Sequence, residues 1–327
     1  MIAVNDSHRD ALCRAFGARL GRAGTGMLTM ICTVTAVLAV SGCSAVRASS
    51  VGAKPAAVRT AQPVSTPAPS RSAQSAPAAS IWKLKWQANF SESARLGSFS
   101  GCNNNDRLPD AYCSGLPADL QSQWWAYPSW PDSATEVHKP LGGYYDSSQT
   151  VWISGGQMHI RMFRTTGSIH SAAVLPKAAI GMVYGKYVET FNVASDSDPG
   201  YRSAHMLWPT NNTPLGAEVD FPEGEWDSTF CVHVHSRLVT GTRNFCPDIG
   251  WTGWHTTEID WTPQSLKFYL DGKLLGTLTG KWVPDTPMSW ILQNESALYG
   301  VQAAENSSAQ LNISSLAVYS YQAPGAG

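Results

Sequence analysis

Three carboxylates lie within the segment Glu-Val-Asp-Phe-Pro-Glu at positions 218–223. Alternate side chains of a β-strand share a face, so Glu218 and Asp220 point one way while the valine between them points into a core. Strict alternation would turn Glu223 away from the other two acids. A one-residue bulge at the Phe-Pro step returns Glu223 to their side, and proline within a sheet occurs mainly at bulges and edges. The sequence therefore predicts three acids along one groove, as in a glycoside-cleaving site.

The spacing also suggests which chemistry the acids perform. With the bulge, Glu218 and Glu223 are four strand steps apart, roughly 13 Å between Cα atoms at ~3.3 Å per step. Inward-leaning side chains reduce the separation of the carboxyl groups to roughly 5–7 Å, nearer the ~5–5.5 Å of retaining glycosidases than the ~6.5–9.5 Å of inverting ones. Carboxylates this close cannot all ionise normally, so one keeps a proton near neutrality and serves as the general acid. The alternative is the solvated face of an ordinary half-buried strand, as in Glu258-Ile259-Asp260, which has no third acid.

The motif Glu218-x-Asp220-x-x-Glu223 followed by Gly224 resembles the catalytic signature of glycoside hydrolase family 16, in the bulged form typical of laminarinase-like members. Other segments resemble that family in the same order, at positions 184–187, 206–209 and 255–273, and the likeness spans roughly residues 82–321. The resemblance implies a concanavalin A-like sandwich. It also implies that Glu218 is the nucleophile, Glu223 the acid and then the base, and Asp220 an auxiliary carboxylate.

On this resemblance we expect a retaining, endo-acting hydrolase of a β-linked polysaccharide. β-1,3-Glucan is the leading substrate, since the bulged motif is commonest among enzymes with that preference. Two alternatives stay open, a glycan-binding module on the same sandwich and a transglycosylase. The intact acids Glu218, Asp220 and Glu223 argue against binding alone.

Five further residues are predicted to bind substrate. Trp208 precedes the acids on an apolar strand and Trp226 stands at the end of the catalytic strand, where indoles could stack on sugars. A place in the core is the alternative for Trp208. His233 and His235 share one face of the next strand and could reach the acids, or lie at the surface. Gln293, on a late strand, could offer its amide to a hydroxyl.

Composition excludes several classes of partner. Charged residues make up 14% of the chain and the net charge is −1, so neither nucleic acid nor an anionic membrane surface is expected to bind. The 13 tryptophans suit a neutral glycan. We expect a monomer without a cofactor.

The N-terminal region predicts export. The apolar run at positions 27–40 is too short to span a bilayer comfortably and fits a signal peptide. It ends in Val40-Ser41-Gly42-Cys43, which resembles a bacterial lipobox with Cys43 as the lipidated residue; an ordinary cleaved signal peptide is the alternative. We expect a lipoprotein signal at 1–43, a disordered Ala/Pro/Ser-rich tether at 44–80 and a catalytic domain at 81–327. The mature protein would be a membrane-anchored surface lipoprotein or a secreted enzyme.

Four cysteines remain in the predicted domain, and they allow three pairings. We favour Cys102–Cys113 and Cys231–Cys246, because each closes a short loop in an oxidising compartment. The competing hypothesis is a zinc site, since two histidines lie beside Cys231. No Cys-x-x-Cys spacing supports it, so no metal is expected.

The sequence predicts an all-β domain. Alternating runs are separated by Gly, Pro, Asn and Asp clusters, at positions 151–161, 184–193, 230–238, 256–261, 266–270 and 311–321. Asp271-Gly272 is a strong two-residue hairpin signal. Many short strands on a chain of this length favour a β-sandwich jelly roll of two antiparallel sheets.

Overall fold

The computed structural model describes residues 81–137, 142–194, 199–211, 217–298 and 301–324. The predicted signal at 1–43, Cys43 and the tether at 44–80 lie outside the described residues. Within the described part, no helix is both long and apolar enough to cross a membrane.

Strands make up most of the described chain, as predicted. They are β1 Trp82–Ala88, β2 Trp124–Ala126, β3 Gly143–Tyr145, β4 Val151–Ser154, β5 Gln157–Thr165, β6 Ser168–Pro176, β7 Gly185–Val193, β8 Tyr201–Pro209, β9 Glu218–Glu225, β10 Cys231–Ser236, β11 Val239–Phe245, β12 His255–Trp261, β13 Ser265–Leu270, β14 Lys273–Thr279, β15 Met288–Ser296 and β16 Ser308–Tyr321. The helices are short: α1 Ala118–Gln121, α2 Ser133–Val137 and α3 Ser147–Thr150, with 3₁₀ turns at Lys177–Ala179 and Gly280–Trp282.

The strands form two layers that share β6. The ladder runs β14-β13-β12-β7-β16-β5-β6-β15-β8-β9-β10-β11. The first part of β6 pairs with β5, and its second part pairs with β15, so β6 passes from one layer to the other. These pairs are antiparallel, whereas short β3 lies parallel to β6. The predicted jelly-roll sandwich is confirmed.

Aromatic side chains fill the space between the layers. Along β7 every second residue is buried, the period of a strand with one face in a core. Tyr187 of β7 meets Trp290 of β15 edge-on at 5.5 Å between ring centroids, and Phe268 of β13 meets Phe221 of β9 at 6.0 Å. These contacts connect the layer that carries the acids to the opposite layer.

The hairpin predicted at Asp271-Gly272 joins β13 to β14. Both residues have positive φ, 50° and 75°, as a type I′ turn requires.

Both predicted disulfides are present, Cys102–Cys113 and Cys231–Cys246. The second bond removes Cys231 as a metal ligand, so the zinc hypothesis built on that thiol is wrong. Cys231 begins β10 and lies opposite Glu223, which places the bond beside the acids.

We expect the double variant Cys231→Ala/Cys246→Ala to unfold at a lower temperature. The bond joins residues 15 apart. Losing a crosslink that closes a loop of that size costs ~3 kcal/mol of stability, which lowers the unfolding midpoint by roughly 5–10 °C for a domain of this size. Thermal unfolding of the oxidised protein measures the change, with Cys102→Ala/Cys113→Ala as the matched variant of the other bond. An unchanged midpoint would show that the bond adds no stability.

Candidate active site

The predicted bulge lies in β9. Strand β10 places His233 opposite Asp220 and Cys231 opposite Glu223, so two steps of β10 match three steps of β9. Strand β8 shows the same offset on the other side. The extra residue falls at Phe221–Pro222, whose peptide bond is cis. All three acids therefore share the face of the sheet that points away from the sandwich core, here called the acid face.

The opposite side of β9 anchors the strand. Val219 and Phe221 are fully buried, and Phe221 contacts Phe230 as well as Phe268 across the core. Burial of two such side chains contributes about 1.5–3 kcal/mol each. The acids are thus carried by a rigid element whose register is set by packing.

Burial and mutual repulsion raise the pKa of two of the acids. Burial first, and then the Glu223 and Glu295 carboxylates, raise the pKa of Glu218 to about 8, although Arg202 acts in the opposite direction. Burial and then the Glu218 and Glu223 carboxylates raise the pKa of Asp220 well above its usual range. At neutral pH the pair Glu218–Asp220 therefore retains a proton.

A buried arginine connects the acids to neighbouring strands. Arg202, on β8, is 4% exposed. Its Nη2 donates to Oε1 of Glu223 at 2.5 Å, and its Nη1 donates to Oε1 of Glu295 at 2.5 Å. Its Nε lies 3.4 Å from Oε1 of Glu225. Burial opposes the charge, but these carboxylates raise the pKa of Arg202, so the guanidinium is always charged.

The Arg202 cluster continues into the segment that begins α2. Ser133 donates a hydrogen bond to Oε2 of Glu295 and accepts one from Nε2 of Gln293 at 3.3 Å. Beside it, Asp132 is fully buried and accepts from the Ser296 amide at 2.8 Å. This segment is thereby tied to β15 next to the acids.

The two histidines of β10 lie on the acid face, as predicted. His233 places Nε2 3.9 Å from Oε2 of Glu223 while its Nδ1 contacts Oδ1 of Asn244 at 3.0 Å. His235 lies opposite Glu218, and its Nδ1 contacts Oγ1 of Thr242 at 3.3 Å. Burial lowers the pKa of His235, with Glu223 acting against it and His233 with it.

Of the other three predicted substrate-binding residues, two lie on the acid face and one lies in the core. Trp208 is half-buried, and the alternation of β8 puts it on the acid face. Gln293 also faces the acids but is 8% exposed and is bonded to Ser133. Trp226 is not brought into the groove. It is 3% exposed and its indole donates to Oγ of Ser203 at 2.8 Å, because the strand ends by folding the ring into the core.

One group of metal-ligand type occurs within the described residues. Glu218, Asp220 and His235 each offer one ligand atom, and these atoms lie within 4.8 Å of one another. The group is a consequence of the register, since Glu218 and His235 are direct cross-strand partners.

We expect Glu218→Gln to stabilise the protein at alkaline pH. Folding raises the pKa of Glu218 from its ordinary 4.5 to about 8, so the folded state binds this proton more tightly than the unfolded state. Its contribution to stability is full below pH 4.5 and is lost as pH rises through 8. Glutamine removes the buried charge, and at ~1.4 kcal/mol per pKa unit the gain above the folded pKa is about 2 kcal/mol or more.

Thermal unfolding at pH values on both sides of that range tests this expectation. The difference in midpoint between Glu218→Gln and wild type should be small in acid and grow with pH. The exposed carboxylate Glu92 offers a matched control, since Glu92→Gln removes a charge that is not buried. A difference that does not grow with pH would contradict the prediction.

Three residues around the acids, Arg202, Glu295 and Asp132, were not among those predicted from the sequence. Arg202 and Glu295 lie on β8 and β15, two strands of mostly apolar or small residues in which every residue except Trp208 is buried. Charged residues are almost never fully buried unless they are paired, so a charged residue in such a strand indicates a buried partner of opposite charge. Their partners are distant in sequence, and only the strand order identifies them.

Comparison with known proteins agrees with this geometry. The family model "Glycosyl hydrolases family 16" matches residues 144–311. No curated protein matches the chain in sequence.

Similar solved structures include two laminarinases and a protein named LamAcat. That of Thermotoga petrophila RKU-1, a catalytic domain described as an endo-1,3-β-glucanase, has TM-score 0.54 and 16% identity, and the alignment covers 73% of this chain and 98% of that one. LamAcat from Zobellia galactanivorans has TM-score 0.53 and 17% identity, with 72% and 97% covered. The Rhodothermus marinus laminarinase has TM-score 0.54 and 17% identity, with 73% and 98% covered. At such identities the likeness shows the fold alone. The matched family model covers half of the chain and contains the bulged strand with its three acids, and on this ground the protein belongs to glycosyl hydrolase family 16.

Proposed function

We propose that the protein is a retaining, endo-acting β-glucan hydrolase with β-1,3-glucan as its preferred substrate. The observation that carries the proposal is the bulge at Phe221–Pro222, because it puts Glu223 on the same face as Glu218 and Asp220. Four steps of β10 separate the partners of Glu218 and Glu223, which supports the short carboxyl separation of a double-displacement enzyme.

In the first step the Glu218 carboxylate attacks the anomeric carbon. The bond between that carbon and the glycosidic oxygen breaks as Glu223 transfers its proton to the departing oxygen. In the second step Glu223 takes a proton from water, whose oxygen attacks the anomeric carbon and releases Glu218 as a carboxylate. Each step inverts the anomeric centre, so the product keeps the β configuration.

The proton held by the buried pair has a role in this scheme. Glu218 must be ionised to attack, yet burial favours its protonated form. For the attack, the proton shared by the pair moves to Asp220, which then donates a hydrogen bond to the Glu218 carboxylate. This hydrogen bond weakens as Glu218 loses its charge in the first step, and it strengthens again in the second step, where it stabilises the departing Glu218 carboxylate.

The choice of glycan rests on the structural neighbours and on charge. A variant of LamA from Zobellia galactanivorans was solved with laminaritriose and laminaritetraose, and a neighbour of the same fold is described as a non-specific endo-β-1,3(4)-glucanase. The net charge of −1 also suits a neutral polymer better than a sulfated one. Trp208, His233 and Gln293 are the residues that we propose to contact sugars on the acid face.

We also propose export and surface attachment. The segment 1–43 would be a signal whose Cys43 receives lipid, 44–80 a tether, and 81–327 the enzyme. The two disulfides are compatible with an oxidising compartment. Mass spectrometry of the protein from membranes of its host would show a lipid-modified Cys43, whereas an unmodified protein in the medium would support the secreted alternative.

The activity is tested by incubating the purified protein with laminarin, mixed-linkage β-glucan, cellulose and galactan. We expect reducing ends to appear fastest with laminarin, with internal cleavage visible as a rapid fall in viscosity. Products longer than the donor chain would favour transglycosylation. Retention on laminarin without release of reducing ends would favour the glycan-binding module.

A further inference from the structure

We propose that Glu218, Asp220 and His235 form a binding site for a divalent transition-metal ion such as Zn²⁺. Each residue supplies one ligand atom, and the three atoms lie within 4.8 Å of one another. One imidazole nitrogen with two carboxylate oxygens is a ligand set that zinc accepts, and three protein ligands leave a fourth position open.

The backbone fixes two of the ligands. Glu218 and His235 are directly opposed on antiparallel strands, where Cβ atoms lie ~4.5–5.5 Å apart. Asp220 follows on the same face of β9. Ligands around a tetrahedral zinc at ~2.0–2.1 Å are separated by about 3.4 Å. Rotation of the two carboxyl groups that moves their oxygen atoms by about an ångström is therefore enough to bring the three ligand atoms around an ion.

His235 is oriented for such a role. Its Nδ1 lies 3.3 Å from Oγ1 of Thr242, which leaves Nε2 as the nitrogen available to a metal. Hydrogen bonding of one ring nitrogen to an outer partner is the usual support for a metal-binding histidine. His233 differs, since its Nδ1 is bonded to Asn244 and its Nε2 faces Glu223 at 3.9 Å.

A second observation at this site is a buried carboxylate oxygen without a hydrogen-bond partner. Asp220 is 2% exposed, and its Oδ1 is buried with no hydrogen-bond partner in the structure. A buried oxygen of this kind loses its water without compensation. Arg202, whose charge acts on Asp220, is already bonded to Glu223 and Glu295. A metal ion on the acid face would supply both the partner and the charge.

Metal binding by these residues would block catalysis. The two carboxylates are the proposed nucleophile and its auxiliary, so the ion and the glycan would exclude each other. This consequence rests on the proposed function, whereas the binding itself does not. We therefore test binding first, without any glycan.

The experiment is calorimetric titration of the full-length protein with zinc chloride. We expect one Zn²⁺ per protein, with His235→Asn weakening the affinity at least 10-fold and His233→Asn changing it less than 3-fold. Thermal midpoints without metal verify that both variants fold. If His235→Asn does not fold, Thr242→Val replaces it, and its affinity should fall about 10-fold. Magnesium chloride, which prefers octahedral oxygen ligands, should give no comparable heat.

Absence of zinc binding by the wild type would overturn the proposal. Equal losses in His233→Asn and His235→Asn would overturn it too, because the ion would then lie elsewhere on β10. A second titration with laminaritetraose present should lower the apparent zinc affinity. If zinc binds as expected and the sugar has no effect, the metal site stands and the proposed glycan site fails.

Discussion

Glu218→Ala should abolish hydrolysis of β-1,3-glucan, and sodium azide should restore cleavage with an α-glycosyl azide as the product. The carboxylate of Glu218 is the proposed nucleophile, and losing such a group lowers kcat by about 10⁴-fold or more. Alanine leaves space beside the anomeric carbon. Azide enters that space, attacks the β-linked substrate directly and inverts it once, so the configuration becomes α.

Glu223→Ala should give the opposite stereochemistry. Without the acid, a substrate with a good leaving group, such as an aryl β-glycoside, still forms the glycosyl-enzyme on Glu218. Water then lacks its general base, whereas azide needs none. Azide therefore attacks the anomeric carbon of the α-linked intermediate and inverts it, which yields a β-glycosyl azide. Proton NMR of the anomeric hydrogen distinguishes the two products.

This pair of experiments decides between two assignments of the acids. The family resemblance makes Glu223 the proton donor, yet burial raises the pKa of Glu218 to about 8 and Arg202 contacts Glu223. If the azide products were exchanged between the variants, Glu223 would be the nucleophile and Glu218 the acid. Glu258→Ala is the matched control. Glu258 begins the similar Glu-x-Asp sequence on β12 but pairs with Lys186 at 2.8 Å, so its replacement should leave the activity unchanged.

Features encoded by neighbouring residues were predictable from the sequence. Proline after Phe221 located the bulge, and the structure places the extra residue of β9 there. Asp271-Gly272 specified a turn with two positive φ angles, which few other dipeptides tolerate. Short loops favoured the two disulfide pairs that are present. In each case the physical cause lies within about fifteen residues of chain.

Features that depend on strand order were not predictable. Arg202 meets Glu295 only because β8 and β15 are neighbours despite the long chain between them. The alternation of β9 does not indicate which charged residue contacts Glu223. Trp226 shows the same limit, since its position suggested a sugar platform whereas tertiary packing turns the ring towards Ser203. The sequence motif thus identified the three acids, but the charged residues around them could be identified only from the strand order of the sheet.

That environment leads to the second large effect, which is on stability. Arg202→Met should destabilise the protein by about 3–5 kcal/mol, because removing one partner of a buried ion pair leaves uncompensated charge. Glu295 is 1% exposed and Glu223 is 19% exposed, and both would lose a guanidinium bond. Methionine fills a similar volume, so cavity formation contributes little. Thermal or urea unfolding measures the loss, expected to lower the midpoint by roughly 10 °C or more.

A control and a second variant separate charge from packing. Lys186→Met removes a more exposed cation that contacts Glu258 and Asp260 at 2.8 and 3.1 Å, and it should cost only about 1 kcal/mol. Adding Glu295→Gln to Arg202→Met removes one of the orphaned charges and should restore part of the lost stability. Additive losses in the double variant would mean that Arg202 acts by packing alone. Recovery would show that the carboxylates around the catalytic face repel one another strongly, and that Arg202 is what allows so many of them to be buried together.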